Sequence, residues 1–393
     1  MCGIAGFVND MPIDVKCPVL QRMTDMIAHR GPDSEGHYID EHAALGHRRL
    51  SIIDLGGGQQ PIYNEDGSKV ITFNGEIYNY QTLREELIAA GHTFTTKSDT
   101  EVLLHGYEQW GVDLLQRVRG MFTFVIWDKN KQELFGARDH FGIKPFYYAK
   151  MNGTFMYASE IKSLLRHPDF VKELNAEALK PYMTFQYPAI GETFFKGVYK
   201  LPEGHYFTYR DGKMDIHRYY DEDFREGKQK LGELVNSIDQ TVCDSVKAHQ
   251  IADVEVGSFL SSGVDSSYVA AVARPQHTYS IGFGKGTYNE SQQAGELAEL
   301  LKLNNTAESL TDEEAFAAFP RIQWHLDEPD SNPSCVPLYF LSALAAKDVK
   351  VVLSGEGADE LFAGYIDYGV HTKFRPIKVV TRWLTHLPAG ARK

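Results

Sequence analysis

The first half of the chain is predicted to be rich in β-strands. Up to about residue 210, short segments in which apolar and polar positions alternate are separated by turns, which is the pattern of half-buried strands. The clearest are GIAGFVND, AALGHRRLSIIDL, SKVITFNGEIYN, MFTFVIWDKNKQELFGARD, KPFYYAKMNGTFMYAS and HYFTYRDGKMDIHRYY. Three of them contain dipeptides that favour tight hairpin turns, namely Asn74-Gly75, Asn152-Gly153 and Asp211-Gly212.

Three helical patterns interrupt these strands. CPVLQRMTDMIAHRG ends at Gly31-Pro32, and NYQTLREELIAAG ends at Gly91. SDTEVLLHGYEQWG begins at an N-cap that is either Ser98 or Asp99. Antiparallel strands with a few helices packed on them indicate a layered α+β domain.

The pattern changes after a Gly/Pro-rich exit, LPEGHYFTYRDG, and a charged connector, YDEDFREGKQK. Helices and apolar strands then alternate, in the order KLGELVNSIDQTVCDSVKAHQ, VEVGSFL, SSYVAAVA, HTYSIGF, NESQQAGELAELLKL, VPLYFLSALAAKD and VKVVLSG. Such alternation predicts a doubly wound parallel sheet. We therefore expect one domain over residues 1–210, a connector over 211–230 and a second domain over 231–393.

Composition narrows the class of protein. A length of 393 residues favours two domains. A net charge of −13 argues against a nucleic-acid-binding protein that works by bulk attraction to phosphates. The four cysteines, Cys2, Cys17, Cys243 and Cys335, form no CxxC pair and suggest neither a disulfide framework nor a zinc site. With no signal-peptide or membrane-span pattern, a reduced cytoplasmic protein is the expectation.

Two loops of the second region are suited to chemistry on phosphates. In VEVGSFLSSGVDSSYVAAVA, a small-residue loop joins a strand to a helix N-terminus, where free N–H groups favour an anion. Asp265 in this loop fits phosphate binding if Mg²⁺ lies between them, because hard cations take carboxylate and phosphate oxygens together. A tight turn without a ligand fits this loop equally well.

The second such loop lies in VKVVLSGEGADELFAGY, where Glu356, Asp359 and Glu360 follow another strand. The C-terminal ends of parallel strands converge on the ligand crevice of open α/β sheets. Mg²⁺-ATP is therefore expected between Asp265 and Asp359. The alternative is a helix N-terminus with acidic residues in its first turn.

The N-terminal stretch MCGIAGF places a thiol at Cys2, directly behind the initiator methionine. If Met1 is removed, Cys2 carries both a thiol and a free α-amine, and an amine of pKa about 7.7–8.0 can accept the thiol proton near neutral pH. Taken alone, these seven residues fit an ordinary buried cysteine more simply.

Motifs along the whole chain resemble those of glutamine-dependent asparagine synthetases. LSSGVDSS, YSIGF and LSGEGADELFAGY resemble the ATP-pyrophosphatase domain of that family, with Ser262 in place of one glycine of the usual Ser-Gly-Gly-x-Asp-Ser loop. MCGIAG, HRGPDSEG, HRRLSIIDL, QQPIYN, FNGEIYN, SDTEVLL, GMFTFVIWD, RDHFGIKPFYY and ASEIKSLL resemble the class II glutamine amidotransferase domain. That domain is an N-terminal-nucleophile hydrolase with a four-layer αββα sandwich.

The resemblance implies an ATP-dependent carbon–nitrogen ligase that converts glutamine, aspartate, ATP and water into glutamate, asparagine, AMP and pyrophosphate. Cys2 would be the nucleophile, and Asn74 and Gly75 would form the oxyanion hole. The implied glutamine-binding residues are Arg49, Leu50, Ser51, Ile52, Ile53, Asn74, Gly75, Glu76 and Asp99. Asp99 acting only as a helix cap is the alternative. Strand alternation directs the neighbouring Arg48 to the opposite face.

In the second domain the resemblance implies a site for ATP and Mg²⁺. The implied ATP-binding residues are Leu260, Ser261, Ser262, Gly263, Asp265, Ser266, Ile281, Ser354 and Gly355. Asp265 and Asp359 would hold Mg²⁺, and Glu356 would serve the step in which ammonia attacks the aspartyl-adenylate. The implied partners are small-molecule substrates only, without nucleic acid or membrane, and the family suggests a homodimer.

Other functions stay open at this point. One keeps the fold but uses another carboxylate acceptor, as in β-lactam synthetases or antibiotic-modifying amidotransferases. Another is a glutaminase-only or non-catalytic paralogue. The family continues well past GEGADELFAGY, whereas this chain ends about 28 residues later. We therefore expect an incomplete second domain, with weak or absent ligase activity, beside an intact glutaminase. His29, His47, His105 and His140 show no metal spacing and are expected to be structural or surface residues.

Overall fold

The computed structural model describes residues 1–187, 190–223, 225, 227–283, 291–365 and 368. Two compact units are described separately below. The first comprises Met1–Glu255 with Leu310–Val351, and the second comprises Val256–Ser309 with the described residues from Val352 onward. Residues 369–393 of the predicted second domain lie outside the described residues.

Strands and helices are numbered in chain order. The strands are β1 (Gly3–Val8), β2 (Ser34–Ile39), β3 (Ala43–Arg49), β4 (Ile62–Tyr63), β5 (Lys69–Ile77), β6 (Gly120–Asp128), β7 (Glu133–Arg138), β8 (Tyr147–Met151), β9 (Thr154–Ala158), β10 (Val198–Lys200), β11 (His205–Arg210), β12 (Lys213–Arg218), β13 (Val256–Phe259), β14 (His277–Phe283), β15 (Asn304–Leu310) and β16 (Val351–Leu353). The α-helices are α1 (Ile13–Asp25), α2 (Tyr80–Ala89), α3 (Asp99–Trp110), α4 (Ile161–Leu164), α5 (Leu179–Phe185), α6 (Leu231–Ala248), α7 (Val264–Ala273), α8 (Ser291–Leu301), α9 (Asp312–Leu326), α10 (Cys335–Ala345) and α11 (Ala358–Phe362).

The first unit contains two six-stranded antiparallel sheets. Their strand orders are β10-β8-β9-β1-β3-β2 and β12-β11-β7-β6-β5-β4. Two predicted hairpin turns are confirmed: Asn152-Gly153 joins β8 to β9, and Asp211-Gly212 joins β11 to β12. All four residues have φ between 50° and 85°, which is the left-handed geometry that two-residue hairpins require.

The predicted hairpin turn at Asn74-Gly75 is wrong. These two residues lie inside the nine-residue strand β5, where Asn74 pairs with Thr123 and Gly75 pairs with Phe122 of β6. Apolar residues on both sides, among them Phe73 and Ile77, are buried and keep the strand continuous. Burial of the surrounding side chains therefore outweighs the turn preference of the dipeptide.

Three apolar layers hold the first unit together, because successive strand residues point to opposite faces. Ile4 of β1 and Val70 of β5 pack between the two sheets. Phe7 of β1 packs with α1 on the outer face of the first sheet. Phe73 of β5 packs with α2 and α3 on the outer face of the second sheet. The order helix, sheet, sheet, helix confirms the predicted αββα sandwich.

The predicted helices are present with shifted ends. α1 begins at Ile13 and ends at Asp25, and the rest of its predicted span forms a short 3-10 turn over Ala28–Arg30. α3 begins directly after Ser98, whose side chain accepts a hydrogen bond from the Thr100 amide. Ser98 is therefore the N-cap, which leaves the Asp99 carboxylate available for other contacts.

The second unit is built on a four-stranded sheet of order β15-β14-β13-β16. β13 and β14 are parallel neighbours joined through α7, as the alternating pattern predicts. The pattern did not predict β15, because NNTAESL is polar and exposed over most of its length. It also did not predict α9, which belongs to the first unit. Among the described residues, no helix has the length and apolar character that crossing a membrane demands.

Candidate active site

A pocket in the first unit gathers residues from four separate segments. It lies where the chain enters β1, where it leaves β3, along β5 and at the start of α3. The residues that line it are Cys2, Arg49, Leu50, Ile52, Ile53, Gly58, Gln60, Phe73, Gly75, Glu76, Ser98, Asp99 and Thr100.

The Cys2 thiol is held by the backbone of Leu50. The Leu50 amide donates to Sγ at 3.4 Å, and the thiol donates to the Leu50 carbonyl at 3.7 Å. The Arg30 guanidinium donates from Nε to the Cys2 carbonyl at 3.0 Å. Burial raises the pKa of the Cys2 thiol, so the resting group is protonated and needs a base before it can act as a nucleophile.

The α-ammonium group at the chain terminus shares this setting. Met1 is present, and burial lowers the pKa of its α-ammonium from 8.0 to about 5, with Arg30 and Lys144 contributing in the same direction. An amine in such surroundings is neutral at pH 7 and can accept a proton. Burial also lowers the pKa of Lys144, to about 8.

Arg49 presents a fixed guanidinium to the pocket. Its Nη2 donates to the carbonyls of Ile53, at 3.1 Å, and Asp54, at 2.7 Å. Its Nε and Nη1 make no hydrogen bond to the described residues, so charged N–H donors remain for a carboxylate. Arg48 points away and pairs with Asp25 and Glu35, as strand alternation predicts.

Two carboxylates, of the buried Asp99 and the half-buried Glu76, lie in the wall of the same pocket. The Ile77 amide donates to Oδ2 of Asp99 at 2.9 Å, and the Ser98 hydroxyl lies 3.4 Å from Oδ1. Burial raises the pKa of Asp99 to about 6 in spite of these bonds. Burial, reinforced by the charge of Asp99, holds the pKa of Glu76 well above its usual value. A cation placed beside the pair would relieve this cost.

Asn74 is fully buried, and neither Oδ1 nor Nδ2 of its side chain has a hydrogen-bond partner among the described residues. A buried amide without a partner is costly, which marks it as a candidate ligand-binding group. Gly75 follows it where β5 and β6 lie closest: a Cβ at Gly75 would come within 2.2 Å of the Met121 carbonyl oxygen. Only glycine fits there without displacing the strand.

Most, but not all, of the residues predicted to bind glutamine line the pocket. Ser51 and Asn74 do not line it; the Ser51 amide instead donates to Asp33 at 2.8 Å. Pattern reasoning missed five lining residues: Gly58, Gln60, Phe73, Ser98 and Thr100. Three of them lie in the QQPIYN and SDTEVLL motifs, so membership of these motifs was the signal that could have identified them.

Two loops of the second unit also meet. In the loop after β13, the Ser261 and Ser266 hydroxyls lie 2.7 Å apart, and the Gly263 amide donates to Ser261 Oγ at 3.1 Å. In the loop after β16, a Cβ at Gly355 would come within 2.7 Å of the Ser266 amide nitrogen and 2.9 Å of the Asp265 Cβ. The two loops that were predicted to bind nucleotide are therefore in direct contact.

These loops suit a nucleotide with a bound cation. Asp265 lies in the first turn of α7, and Asp359 lies in the first turn of α11; both are half-exposed. Gly357, with φ of 90°, makes the turn that precedes Asp359. Glu356 and Ser354 are exposed, and Leu260 is buried, with its amide donating to the Tyr279 carbonyl. Carboxylates beside a glycine-lined cradle fit Mg²⁺ together with phosphate.

Comparison with known proteins identifies the families of the two parts of the chain. A family model described as a glutamine amidotransferase domain matches residues 1–220, and one described as asparagine synthase matches residues 237–388. A putative glutamine-hydrolysing asparagine synthetase of Methanocaldococcus jannaschii is 34% identical over 397 residues, which cover 94% of this chain and 76% of that protein. The chain belongs to the glutamine-hydrolysing asparagine synthetase family.

Two further relatives show the breadth of this asparagine synthetase family. Asparagine synthetase 1 of Bacillus subtilis is 43% identical over 401 residues, which cover all of this chain. The protein named amidase chry2 of Gibberella zeae is 32% identical over 409 residues, which cover 93% of this chain and 59% of that protein. The chain spans 62% of the length of the Bacillus relative.

Proposed function

We propose that this protein hydrolyses glutamine at Cys2 and uses the ammonia to convert an aspartyl-adenylate into asparagine, with ATP consumed to AMP and pyrophosphate. The observation that carries the first half is a single pocket that contains a cysteine, an arginine with donors to spare and two carboxylates. Glutamine has an amide, an α-carboxylate and an α-ammonium, and each finds a complementary group there. The second half rests on the family match and on the two touching loops.

The nucleophile is expected to be active only after Met1 is removed. The α-amine of Cys2 then takes the thiol proton, and the thiolate attacks the side-chain carbonyl of glutamine. Sγ–C bond formation gives a tetrahedral oxyanion. The amine returns its proton to the departing nitrogen, so ammonia leaves and a thioester remains, which water hydrolyses to glutamate.

Asn74 and Gly75 are proposed to stabilise the oxyanion. The unpartnered Nδ2 of Asn74 would donate to it together with the Gly75 amide. Fixed donors that face a developing negative charge are worth about 2.7–4 kcal/mol each. Because Asn74 lies in an interior strand, its amide does not need to reorganise during the reaction.

Arg49 is proposed to bind the α-carboxylate of glutamine through one of the donors that the protein leaves without a partner, Nε or Nη1. Asp99 and Glu76 would bind the α-ammonium group, which would restore the ionised form of two carboxylates that burial disfavours. Leu50, Ile52 and Ile53 would enclose the methylene groups, and Ser51 would act through its backbone.

For the second unit we propose that Leu260, Ser261, Ser262, Gly263, Asp265, Ser266, Ile281, Ser354 and Gly355 bind ATP. Asp265 and Asp359 would hold Mg²⁺, which supplies charge neutralisation for the phosphates. Glu356, exposed beside this cradle, would position the adenylate or accept a proton when ammonia attacks. The domain division at 211–230 and a homodimer remain proposals that follow from the family.

A different carboxylate acceptor is the second candidate function. The relative named amidase chry2 is 32% identical to this chain and is not named a synthetase, so relatives at comparable identity differ in the activity for which they are named. Supplying aspartate or other carboxylic acids to the same assay separates the two candidates.

The test is to incubate the protein with glutamine, aspartate and Mg²⁺-ATP, and to measure glutamate, asparagine and AMP separately. We expect glutamate to form and asparagine to appear with AMP in equal amounts. Cys2→Ala should abolish glutamate release, whereas the matched control Cys17→Ala, at an exposed cysteine, should retain it. Mass spectrometry should show Met1 removed from active protein.

The outcomes separate the candidates. If glutamate forms without asparagine or AMP, the protein acts as a glutaminase only. AMP that forms with an acid other than aspartate would favour the second candidate. Glutamate release by Cys2→Ala would refute the nucleophile.

A further inference from the structure

Four potential metal ligands converge in the first unit, away from the pocket. One ligand atom each from Glu65, His92, His105 and Glu108 lies within 4.8 Å of the other three. We propose that this cluster binds one divalent transition-metal ion of the zinc class. His105 and Glu108 lie three residues apart on α3, but Glu65 comes from the β4–β5 turn and His92 from the segment after α2, so spacing along the sequence does not reveal the whole set.

The histidine nitrogens and carboxylate oxygens converge on a single point. His105 Nδ1 lies 3.0 Å from Glu108 Oε2 and 3.5 Å from Glu65 Oε2. His92 Nδ1 lies 3.5 Å from Glu65 Oε1 and 3.9 Å from Glu108 Oε2. Both imidazole rings thus turn the same nitrogen towards the two carboxylates. An ion at about 2.0–2.2 Å from each ligand needs only a small contraction or expansion of these distances.

The outer nitrogens of both rings face oxygen acceptors. His92 Nε2 lies 3.2 Å from Gln109 Oε1; His105 Nε2 lies 3.5 Å from Glu101 Oε1 and makes no hydrogen bond to the described residues. A proton held on Nε2 leaves the lone pair of Nδ1 directed at the centre, which is how metal-binding histidines are usually oriented.

The carboxylates are oriented as well. Asn64 Nδ2 donates to Oε1 of Glu108 at 2.7 Å, and the Thr93 amide donates to Oε1 of Glu65 at 3.0 Å. Lys69 is a further charged neighbour, with Nζ 3.5 Å from Oε1 of Glu108. Each carboxylate thus has one oxygen held by the protein and another near the centre.

The ligand set selects the class of ion. Two imidazole nitrogens and two carboxylate oxygens suit tetrahedral Zn²⁺, whereas Mg²⁺ and Ca²⁺ prefer oxygen alone. Two carboxylates neutralise a divalent charge. His105 is buried and Glu65 is 38% exposed, so the ion would enter from the side of Glu65.

The expected role is structural, because four protein ligands close a tetrahedral zinc site. The ion would tie α3 to the β4–β5 turn and to the segment after α2. α3 begins with Asp99, so the bound ion would also stabilise the helix that brings a carboxylate to the glutamine pocket. The alternative is a metal-free ion-pair network in which an imidazole is protonated.

The experiment uses full-length protein without a polyhistidine tag, stripped of metal and titrated with Zn²⁺ and with Co²⁺. We expect one ion per chain, a rise in Tm on binding, and visible d–d bands of tetrahedral Co²⁺ without a thiolate charge-transfer band. His92→Gln should weaken binding by at least about 100-fold. The control His217→Gln, at an exposed histidine on β12, should bind like the unmodified chain.

The result that overturns the proposal is equal Co²⁺ spectra and equal affinity for His92→Gln and His217→Gln, or no rise in Tm with Zn²⁺; either would leave an ion-pair network only. If His92→Gln does not fold, as judged by circular dichroism, Glu65→Gln at the exposed edge of the cluster provides the same comparison. Cys2→Ala should bind the ion undiminished, so the outcome is independent of the glutaminase proposal.

Discussion

Glu160→Gln is expected to destabilise the first unit substantially. The Glu160 carboxylate is 6% exposed and accepts hydrogen bonds from Arg30 at 2.9 Å, His29 at 3.0 Å and Lys162 at 2.5 Å. Burial alone would raise its pKa, but His29, Arg30 and Lys162 together hold the pKa at about 2, against an ordinary 4.5. That difference corresponds to ~3 kcal/mol of folding free energy above pH 4.5.

The sign of the pH dependence follows from the lowered pKa. The folded carboxylate stays ionised to lower pH than the unfolded one, so its contribution is complete above pH 4.5 and is lost as the pH falls towards 2. Urea unfolding should therefore show Glu160→Gln less stable by ~3 kcal/mol at pH 7. At pH 3 the difference should shrink to less than half of that value.

Glu173→Gln is the matched control. Glu173 pairs with Lys196 at 2.6 Å, but both side chains are more than half exposed, so its loss should cost under about 1 kcal/mol. Equal effects of the two substitutions, or a Glu160→Gln effect that does not change with pH, would refute the reasoning. Because Arg30 also donates to the Cys2 carbonyl, Glu160→Gln should lower glutaminase activity as well.

Three further expectations concern the sites. Asn74→Ala should lower kcat for glutamine hydrolysis about 10²–10³-fold with little change in KM; an unchanged kcat would remove Asn74 from the oxyanion hole. Asp99→Asn should raise KM for glutamine at least about 30-fold, and KM of the unmodified chain should rise below about pH 6 because Asp99 then protonates. Gly355→Ala should abolish ATP-dependent AMP formation and spare glutamate release, since its Cβ would lie 2.7 Å from the Ser266 amide nitrogen; normal AMP formation would contradict this.

The alternation of apolar and polar residues predicted the layers well, because the burial of a strand and its two-residue period depend on only a few neighbouring residues. A layered α+β domain and the β13–α7–β14 unit follow from alternation and turn chemistry, whereas the four-layer αββα order was implied by the resemblance to class II glutamine amidotransferases. Asn74-Gly75 shows where local chemistry fails, since the dipeptide is a good turn but lies between buried apolar residues. β15 was missed because its side chains are mostly exposed.

The sequence was a poorer guide to which side chains come together in space. The choice between Ser98 and Asp99 as N-cap depended on a hydrogen bond that only the folded helix reveals. Gln60 enters the pocket wall because its side chain bridges Phe73 and Thr100, which lie far from it along the chain. The His92–His105 centre likewise joins segments whose relation depends on tertiary structure.

The two interior strands have a consequence for how donor specificity can change. Cys2 directly precedes β1, which pairs with β3 and β9, and Asn74 pairs with Thr123 of β6, so moving either residue would disturb a hydrogen-bonded ladder. Residues 50–60 instead lie in a loop that contributes Leu50, Ile52, Ile53, Gly58 and Gln60 to the pocket wall. Directed evolution towards other amide donors should therefore collect substitutions in this loop and at the start of α3, and leave both strands unchanged.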